Sequence, residues 1–419
     1  MATDTQTARG KIAALGRGTM GGAIMVAIGL AIGQVAAYLL SLAGARVLGP
    51  DAYGVFGSML ALMMVGAVLS LGLQAAGAKR VVLIDAKHRP FVGSGVIRWS
   101  AGASIAIAVG TIVVSPLLDW LLHLEGILPI VLVALNLAPT TFWGGLLGVA
   151  QGREAHMRLA AIYAVVGLGR AIGGIGMIMA THSVVGGLVG MAIGTWVGTA
   201  LCWLFTTALI DRPAQKLVGF RVDITHATHA LLALFVLTNL DVLLARHFLA
   251  PAQAGMYAAG AVVTKVAFWL PQFVATIAYP RMTDHRRANA LSKGVLAVVV
   301  IGALAIAVVA LLPNLVVNFV GGSAYNDLVS EVWIFAAIGA AYALAQFCLY
   351  GQIAAGKRAA IAVLWLGVAC LIALVIMFHS SVLQIALCVL GVALALSLIG
   401  LAELVTEVRR EARLEPVTA

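Results

Sequence analysis

Long uninterrupted apolar runs constrain the fold of this chain more than any other feature of its sequence. They recur about twelve times along 419 residues and last about 20 to 27 residues each. An α-helix rises about 1.5 Å per residue, so each run is long enough to cross a hydrocarbon layer of about 30 Å. The composition agrees, because 62% of the residues are hydrophobic and only 10% are charged, against roughly 25% charged in soluble domains. We therefore predict an all-α integral membrane protein.

About twelve transmembrane helices account for these runs. We place them near residues 19–45, 53–78, 92–115, 126–150, 158–180, 184–210, 224–248, 253–280, 292–313, 331–351, 358–378 and 381–405. The first run follows about 18 polar and basic residues and ends without a small-residue cleavage site, so we expect a retained helix and not a signal peptide.

The positive residues predict the orientation of these helices, because Lys and Arg are retained in cytoplasmic loops. With both termini inside, 21 of the 26 Lys and Arg residues lie in cytoplasmic segments, 2 on the opposite face and 3 within spans. A helix missed in mid-chain would abolish this imbalance, so the charges support the helix count. They also explain the net charge of +10 without nucleic acid as a partner. We expect a multi-pass protein of the cytoplasmic (inner) membrane.

The loops divide the chain into two sets of six helices. We predict a cytoplasmic tail at 1–18, a first six-helix bundle at 19–210, a cytoplasmic linker at 211–223, a second six-helix bundle at 224–405 and a cytoplasmic tail at 406–419. No predicted loop is large enough to form a soluble domain.

An internal repeat relates the two sets. Four positions recur at a constant offset of 201 residues: Leu48 with Leu249, Pro50 with Pro251, Gly54 with Gly255, and Arg80 with Arg281. Arg46 and Arg246 also match once a gap of one residue is allowed. Six helices separate the two copies, so both have the same orientation, which predicts parallel repeats related by an axis along the membrane normal. That arrangement places a central cavity between two bundles.

Two segments resemble the polysaccharide biosynthesis/export (O-antigen flippase-like) family. They are 46–80, which begins Arg-Val-Leu-Gly-Pro-Asp-Ala-Tyr-Gly, and 239–281, which begins Asn-Leu-Asp-Val-Leu. That family belongs to the multidrug/oligosaccharidyl-lipid/polysaccharide exporter superfamily. The resemblance implies a V-shaped central cavity that opens to each side in turn while it turns over an undecaprenyl-pyrophosphate-linked glycan. Lipid II flippases usually have two further helices, for which this chain leaves no room.

Ionisable side chains deep in the membrane are candidate functional residues, because a charge there is costly. Arg170 and Lys265 each lie about twelve residues inside a predicted helix, roughly 18 Å deep by helical rise. A cavity lined by them suits a pyrophosphate or another anionic head group, although each cation alone is also explained by pairing with a carboxylate or a helix end. Asp241, with Asn239 two residues away, either balances such a cation or couples transport to protons or sodium ions.

Five further arginines lie near the ends of spans. Arg98, about six residues inside helix 3, either lines the cavity or extends to the cytoplasmic head groups. Arg46 and Arg246 end repeat-related helices on the outer side, where they grip a diphosphate, form an outer gate or anchor the interface. Arg80 and Arg281 end helices 2 and 8 on the inner side, where topology already explains them and contacts with head groups at a cytoplasmic gate are the functional alternative.

Two other patterns have simpler interpretations. A stripe of glycines every four residues along helix 6 predicts close helix packing within the first bundle, with dimerisation as the alternative; it comprises Gly186, Gly190, Gly194 and Gly198. Four histidines near the outer face are unclustered in sequence and lack metal-ligand spacing; they are His123, His182, His247 and His379.

Together these observations predict a flippase or exporter for a lipid-linked oligosaccharide of the cell envelope, such as a lipopolysaccharide precursor. Its expected partners are the lipid-linked glycan, membrane lipids and glycosyltransferases or a polymerase of the same pathway, and we expect a monomer without a cofactor. The alternative is a multidrug extrusion antiporter, but three intramembrane cations beside one acid favour anionic cargo. A membrane glycosyltransferase or polymerase fits less well, because the longest outer loop, near 314–330, lacks paired carboxylates and a Ser/His/Asp set.

Overall fold

The computed structural model describes the backbone of residues 2–271, 287–354 and 359–414. Regular structure in these ranges is entirely helical, which confirms the predicted fold class. The helices are α1 Ala2–Gly66, α2 Val68–Val82, α3 Arg89–Val113, α4 Ser115–Leu122, α5 Leu128–Gly152, α6 His156–Thr181, α7 Val184–Thr206, α8 Phe220–Leu237, α9 Leu240–Phe248, α10 Pro251–Trp269, α11 Arg287–Leu311, α12 Pro313–Val320, α13 Val332–Ala354, α14 Ala359–Met377 and α15 Val382–Leu414. Two short 3₁₀ helices follow α7 and α12.

The segmentation agrees with about twelve spans once two helix breaks are taken into account. α1 contains predicted helix 1 and the first part of predicted helix 2, separated at Gly49, whose φ of 73° and ψ of 172° are not helical; α2 is the remainder of predicted helix 2. Glycine adopts a positive φ at little cost, and Pro50 then suits the first turn of the next helix. α8 and α9 together form the predicted helix 7, interrupted at Thr238 and Asn239.

Two short apolar helices occupy segments that the sequence analysis assigned to outer loops. α4 follows the predicted helix 3, and α12 follows the predicted helix 9. Each has only eight residues, which is too few to cross a membrane. The length of apolar runs in the sequence therefore does not predict them. Their positions correspond in the two halves of the chain.

The helices form two compact units. Unit 1 comprises residues 1–43, 66–120 and 125–231, and unit 2 comprises residues 44–65, 121–124 and 232–419. In unit 1, Leu73, Val96, Leu146 and Ile162 are among the fully buried core side chains. In unit 2, a smaller core cluster surrounds Phe347. The linker belongs to unit 1. The backbone N–H groups of Asp211 and Gln215 donate to the Pro90 and Phe91 carbonyls at the start of α3.

The predicted glycine stripe packs within unit 1. A Cβ atom added to Gly190 would clash with the Gly173 carbonyl of α6, and one added to Gly194 would clash with the Gly169 carbonyl. Gly198 lies against Val166 of the same helix. The stripe therefore lets α6 and α7 approach with their backbones in contact, as small residues do in membrane helices.

The sequence repeat has a reciprocal contact inside unit 2. A Cβ atom on Gly54 would lie 3.0 Å from the Gly255 nitrogen and 3.2 Å from the Pro251 carbonyl, while one on Gly255 would clash with the Pro50 carbonyl. Each repeat-related glycine thus packs against the other copy's proline, the pattern expected of two equivalent elements that meet across a twofold axis. Both glycines are required because any side chain would separate the helices.

Candidate functional site

Arg170 lies near the middle of α6 in unit 1, on the side of the helix nearer to α1. Gly167 and Gly174, one turn before and after it, face residues 33 and 40 of α1, whereas Gly169 and Gly173 face α7. The Arg170 side chain is half-buried. At 100° per residue, Tyr163 shares its face, because seven residues make almost two full turns. Arg170 and Tyr163 therefore project in nearly the same direction at two depths.

Tyr163 belongs to a polar group that the sequence analysis missed. The Gln74 side-chain amide of α2 donates to the Gln151 side-chain carbonyl of α5 at 2.9 Å and to the Tyr163 hydroxyl at 2.7 Å. Gln74 and Tyr163 are half-buried and Gln151 is exposed. We call Gln74, Gln151 and Tyr163 the amide–phenol triad. Glutamines are uncharged, so the sequence does not mark them as it marks a charge in an apolar helix. A buried amide nevertheless also needs hydrogen-bond partners.

Asp241 is the centre of a second polar group, in unit 2. It is 3% exposed and accepts a hydrogen bond from the Tyr257 hydroxyl at 3.0 Å. Its position in the first turn of α9 favours a negative charge. Lys265 of α10 is half-buried and lies beyond ion-pair distance of Asp241, but within electrostatic range of its carboxylate. The structure therefore brings together Asp241 and one of the two predicted deep cations, while Arg170 belongs to the other unit.

Asn239 lies at the break between α8 and α9, beside this acid. It is 2% exposed, and its side-chain amide donates to the Phe235 carbonyl at 2.9 Å. The Leu237 carbonyl, released by the interruption of the helix, accepts from the Tyr342 hydroxyl at 3.2 Å. The break thus places several polar atoms next to Asp241 in an otherwise apolar interior. The Asn239 amide nitrogen and the Leu237 carbonyl are hydrogen-bonded, whereas the Asn239 Oδ1 and Asp241 Oδ1 atoms are buried without a hydrogen-bond partner among the described residues.

Arg46 caps the end of a short helix from the opposite half of the sequence. Its guanidinium donates to the Asn318 and Phe319 carbonyls of α12 at 3.2 and 2.8 Å. It also lies over the Phe319 ring, 5.8 Å from the centroid, within the range of a cation–π interaction. A cation at the C-terminal end of a helix is favoured by the helix dipole and satisfies its terminal carbonyls.

Arg246 makes the repeat-related contact at the end of α4. Its guanidinium donates to the Leu122 and His123 carbonyls at 3.0 and 3.1 Å. The side chain is 8% exposed, and Asp51 attracts it electrostatically. We call Arg46 and Arg246 the arginine caps. Each cap joins the end of one repeat's first helix to the short helix of the other repeat, and all four contacts lie within unit 2.

The remaining predicted arginines have different surroundings. Arg80 pairs with Asp223 of α8 in unit 1, with 2.6 Å between its Nε atom and the carboxylate. Arg98 is exposed beside an exposed Trp99, a position that suits extension toward head groups. Arg281 lies outside the described residues.

The outer histidines are closer together than the sequence suggests. His123 and His247 stack with ring centroids 5.1 Å apart, and Phe248 contacts both His247 and His379. The structure therefore brings three of the four histidines into one group, although they are far apart in sequence. The described residues contain no group of three or more His, Cys, Asp or Glu side chains arranged for a metal ion.

Comparisons with known proteins identify the fold. Neither the protein-family models nor the curated proteins contain a match to this sequence. Among solved structures, an inward-facing multidrug resistance MATE family transporter of the MOP superfamily matches with 12% identity over 94% of this chain and 100% of its own, at a TM-score of 0.75. The lipid II flippase MurJ, in an inward closed conformation, matches with 11% identity over 92% of this chain and 87% of its own, also at 0.75.

A third structure extends the comparison to a MOP superfamily transporter from Pyrococcus furiosus. The reverse polarity of its binding pocket suggests a different function for that protein. It matches with 14% identity over 93% of this chain and 95% of its own, at a TM-score of 0.63. These structures are transporters or flippases. This chain therefore has the same all-helical fold as these structures.

Proposed function

We propose that this protein is a flippase or exporter that moves a polyprenyl-pyrophosphate-linked oligosaccharide, or a related cell-envelope precursor, across the cytoplasmic membrane by alternating access. The fold supports a transporter, but a fold hosts many cargoes, so the cargo must be argued from the side chains in the interior. The Pyrococcus furiosus transporter, with the reverse polarity of its pocket, illustrates the same principle in a similar fold.

The observation that carries the proposal is the position of Arg170. It lies half-buried at the middle of α6, and a positive charge at that depth is costly, which makes it a candidate functional residue. A guanidinium offers a planar fork of donors that matches phosphate oxygens in pairs. Arg170 is thus suited to bind the diphosphate that links a polyprenyl chain to its glycan.

Asp241 and Lys265 have a balancing role in this proposal. Their attraction inside unit 2 gives the buried carboxylate a cation within the protein, so the pair adds little net charge to the interior. In this arrangement Asp241 balances the charge of Lys265, while the Asn239 side-chain amide bonds to the Phe235 carbonyl of α8 at the helix break. A cationic drug would need uncompensated acid in the same place, which favours the flippase over a multidrug antiporter.

Translocation in proteoliposomes tests the proposal. The probe is a polyprenyl-diphosphate disaccharide with a dye on its head group, and a membrane-impermeant reductant reports the dye that reaches the outer leaflet. We expect Arg170→Gln to slow translocation about tenfold to a hundredfold, the range expected for one charged hydrogen-bonding group. Lys265→Gln should have a smaller effect, because Asp241 already engages Lys265.

Lys216→Gln is the matched control, because it removes a positive charge from the exposed linker and should leave the rate unchanged. Variants that stay folded and monodisperse but translocate as fast as wild type, including the Arg170→Gln/Lys265→Gln double variant, would rule out a cationic site. Translocation of a hydrophobic cation in exchange for protons, with none of the diphosphate lipid, would point to an antiporter.

A further inference from the structure

The amide–phenol triad brings together side chains from three separate helices of unit 1. Its members, Gln74 of α2, Gln151 of α5 and Tyr163 of α6, lie toward the helix ends that carry basic residues. Gln151 is the last residue but one of α5, and Gln74 lies six residues before Arg80. By the charge pattern, these are the cytoplasmic ends. The triad therefore lies where cargo from the cytoplasm would first meet the interior of this bundle.

The triad keeps unused hydrogen-bonding capacity. Gln74 uses its two N–H groups on Gln151 and Tyr163, and its own carbonyl oxygen remains an acceptor. The Gln151 NH₂ group and the Tyr163 hydroxyl proton remain donors. No other described residue bonds to these three side chains. They thus present donors and an acceptor at one place and carry no charge.

This combination matches the chemistry of sugars. A sugar hydroxyl both donates and accepts, so a neutral site with mixed donors and acceptors satisfies it, whereas a site of one polarity does not. An amide–hydroxyl site is also selective, because a ligand that lacks the hydroxyl leaves polar groups unpaired. A hydrophobic cation would gain little from these three groups.

The position of Arg170 gives the distance along α6 between the triad and the proposed diphosphate site. Tyr163 precedes Arg170 by seven residues on the same face of α6, an axial separation of about 10.5 Å. A diphosphate held at Arg170 would leave the sugar attached to it extending along this face toward the cytoplasmic end. The triad lies in that direction, at a distance that a diphosphate and one or two sugar rings can cover.

We propose that Gln74, Gln151 and Tyr163 form a subsite for the hydroxyl groups of the cargo's membrane-proximal sugars, separate from the cationic site at Arg170. This proposal rests on the proposed function, since it assumes a glycan joined to a diphosphate. It assigns two separate roles within unit 1. The Arg170 guanidinium binds the diphosphate, and the triad distinguishes a glycan from other head groups.

A purely structural role for the triad predicts a different result. Hydrogen bonds between membrane helices also stabilise packing, and in that case substitutions would affect every cargo equally through the fold. A sugar subsite predicts an effect that depends on the presence of sugars. The two interpretations are therefore separated by two cargoes that differ only in their sugars.

The experiment compares two lipids in proteoliposomes. One is the dye-labelled polyprenyl-diphosphate disaccharide, and the other carries the same dye on the same diphosphate through an alkyl linker in place of the sugars. Tyr163→Phe removes one hydroxyl and keeps the ring, and Gln151→Leu removes the exposed amide. Gln253→Leu, at an exposed position on α10, is the matched control for loss of an amide.

We expect Tyr163→Phe and Gln151→Leu each to slow the disaccharide lipid about threefold to tenfold, the loss expected for one hydrogen bond. The sugar-free lipid should be unaffected, Arg170→Gln should slow both lipids, and Gln253→Leu should slow neither. Equal slowing of both lipids, or no slowing of either, would overturn the subsite while leaving the proposed function intact. A wild-type protein that moves neither lipid would overturn the proposed function and the subsite with it.

Discussion

The two units carry different polar groups on the helices that hold their deep positive charges. In unit 2, Lys265 lies near the Asp241 carboxylate, which also accepts from Tyr257. In unit 1, the face of α6 that carries Arg170 carries a neutral phenol, Tyr163, bonded to Gln74. The constant offset of 201 residues indicates that the two halves descend from one repeat, so this difference arose after the repeat was formed.

The comparison shows which half is specialised for cargo in the proposed mechanism. An acid and an amine that attract each other mainly maintain their own unit, because each lowers the cost of placing the other in an apolar interior. The Arg170 guanidinium, on the same helix face as the neutral amide–phenol triad, can instead bind an anionic ligand in the proposed mechanism. We therefore expect substitutions in unit 2 to act mostly on stability and those in unit 1 mostly on transport.

The largest effect on stability should come from Asp241→Asn. It removes the charge that attracts Lys265 and leaves the amine in an apolar interior, at an expected cost of about 2–4 kcal/mol in the free energy of unfolding. The measurement is denaturant-induced unfolding in detergent micelles. Lys265→Met combined with Asp241→Asn should recover much of the loss, because the double variant leaves no charge without its counterpart.

The same three variants, Asp241→Asn, Lys265→Met and the double variant, can also contradict this contrast between the two units. If the two substitutions add without recovery, then Asp241 and Lys265 are not coupled, and the acid would be available for protons or sodium ions instead. Arg170→Met provides the contrast in unit 1. We expect it to change unfolding less than Asp241→Asn while reducing translocation more.

The sequence predicted the fold better than it predicted the site, for physical reasons. Apolar run length and the positive residues are properties of single segments, and they were enough for about twelve helices. The offset between Pro50 and Pro251 was also visible, and the structure places the repeated elements in contact. Partners brought together by packing were not visible, and so the bonds of Arg46 to α12 and of Gln74 to Tyr163 needed the structure.

A smaller effect should separate the two arginine caps. Arg246 is 8% exposed, whereas Arg46 is exposed, although both donate to two carbonyls at the end of a short helix. Arg246→Ala leaves the carbonyl of the buried Leu122, and that of His123, without this donor, so we expect a loss of about 1–3 kcal/mol in unfolding free energy. Arg46→Ala should cost less, about 0.5–1 kcal/mol, since water can replace an exposed guanidinium.

Conservative substitutions sharpen this difference. Lysine keeps the positive charge but lacks the fork that reaches two carbonyls. Arg46→Lys should therefore behave almost like wild type, while Arg246→Lys should remain clearly destabilised in the same detergent unfolding measurement. Equal losses at the two caps would mean that the repeat has kept the same energetics at both ends despite the difference in burial.

The smallest effect should come from the end of α2 and the start of α8, where Arg80 pairs with Asp223. Both side chains are partly exposed, at 33% and 25%, and such ion pairs contribute only about 0–1 kcal/mol because solvent and salt screen them. Arg80→Gln should lower the unfolding free energy by no more than this amount, and about 1 M salt should abolish the difference from wild type. A larger loss that persists at high salt would instead assign the pair a packing role between α2 and α8, and unit 1 would then rely on a buried ion pair as unit 2 does.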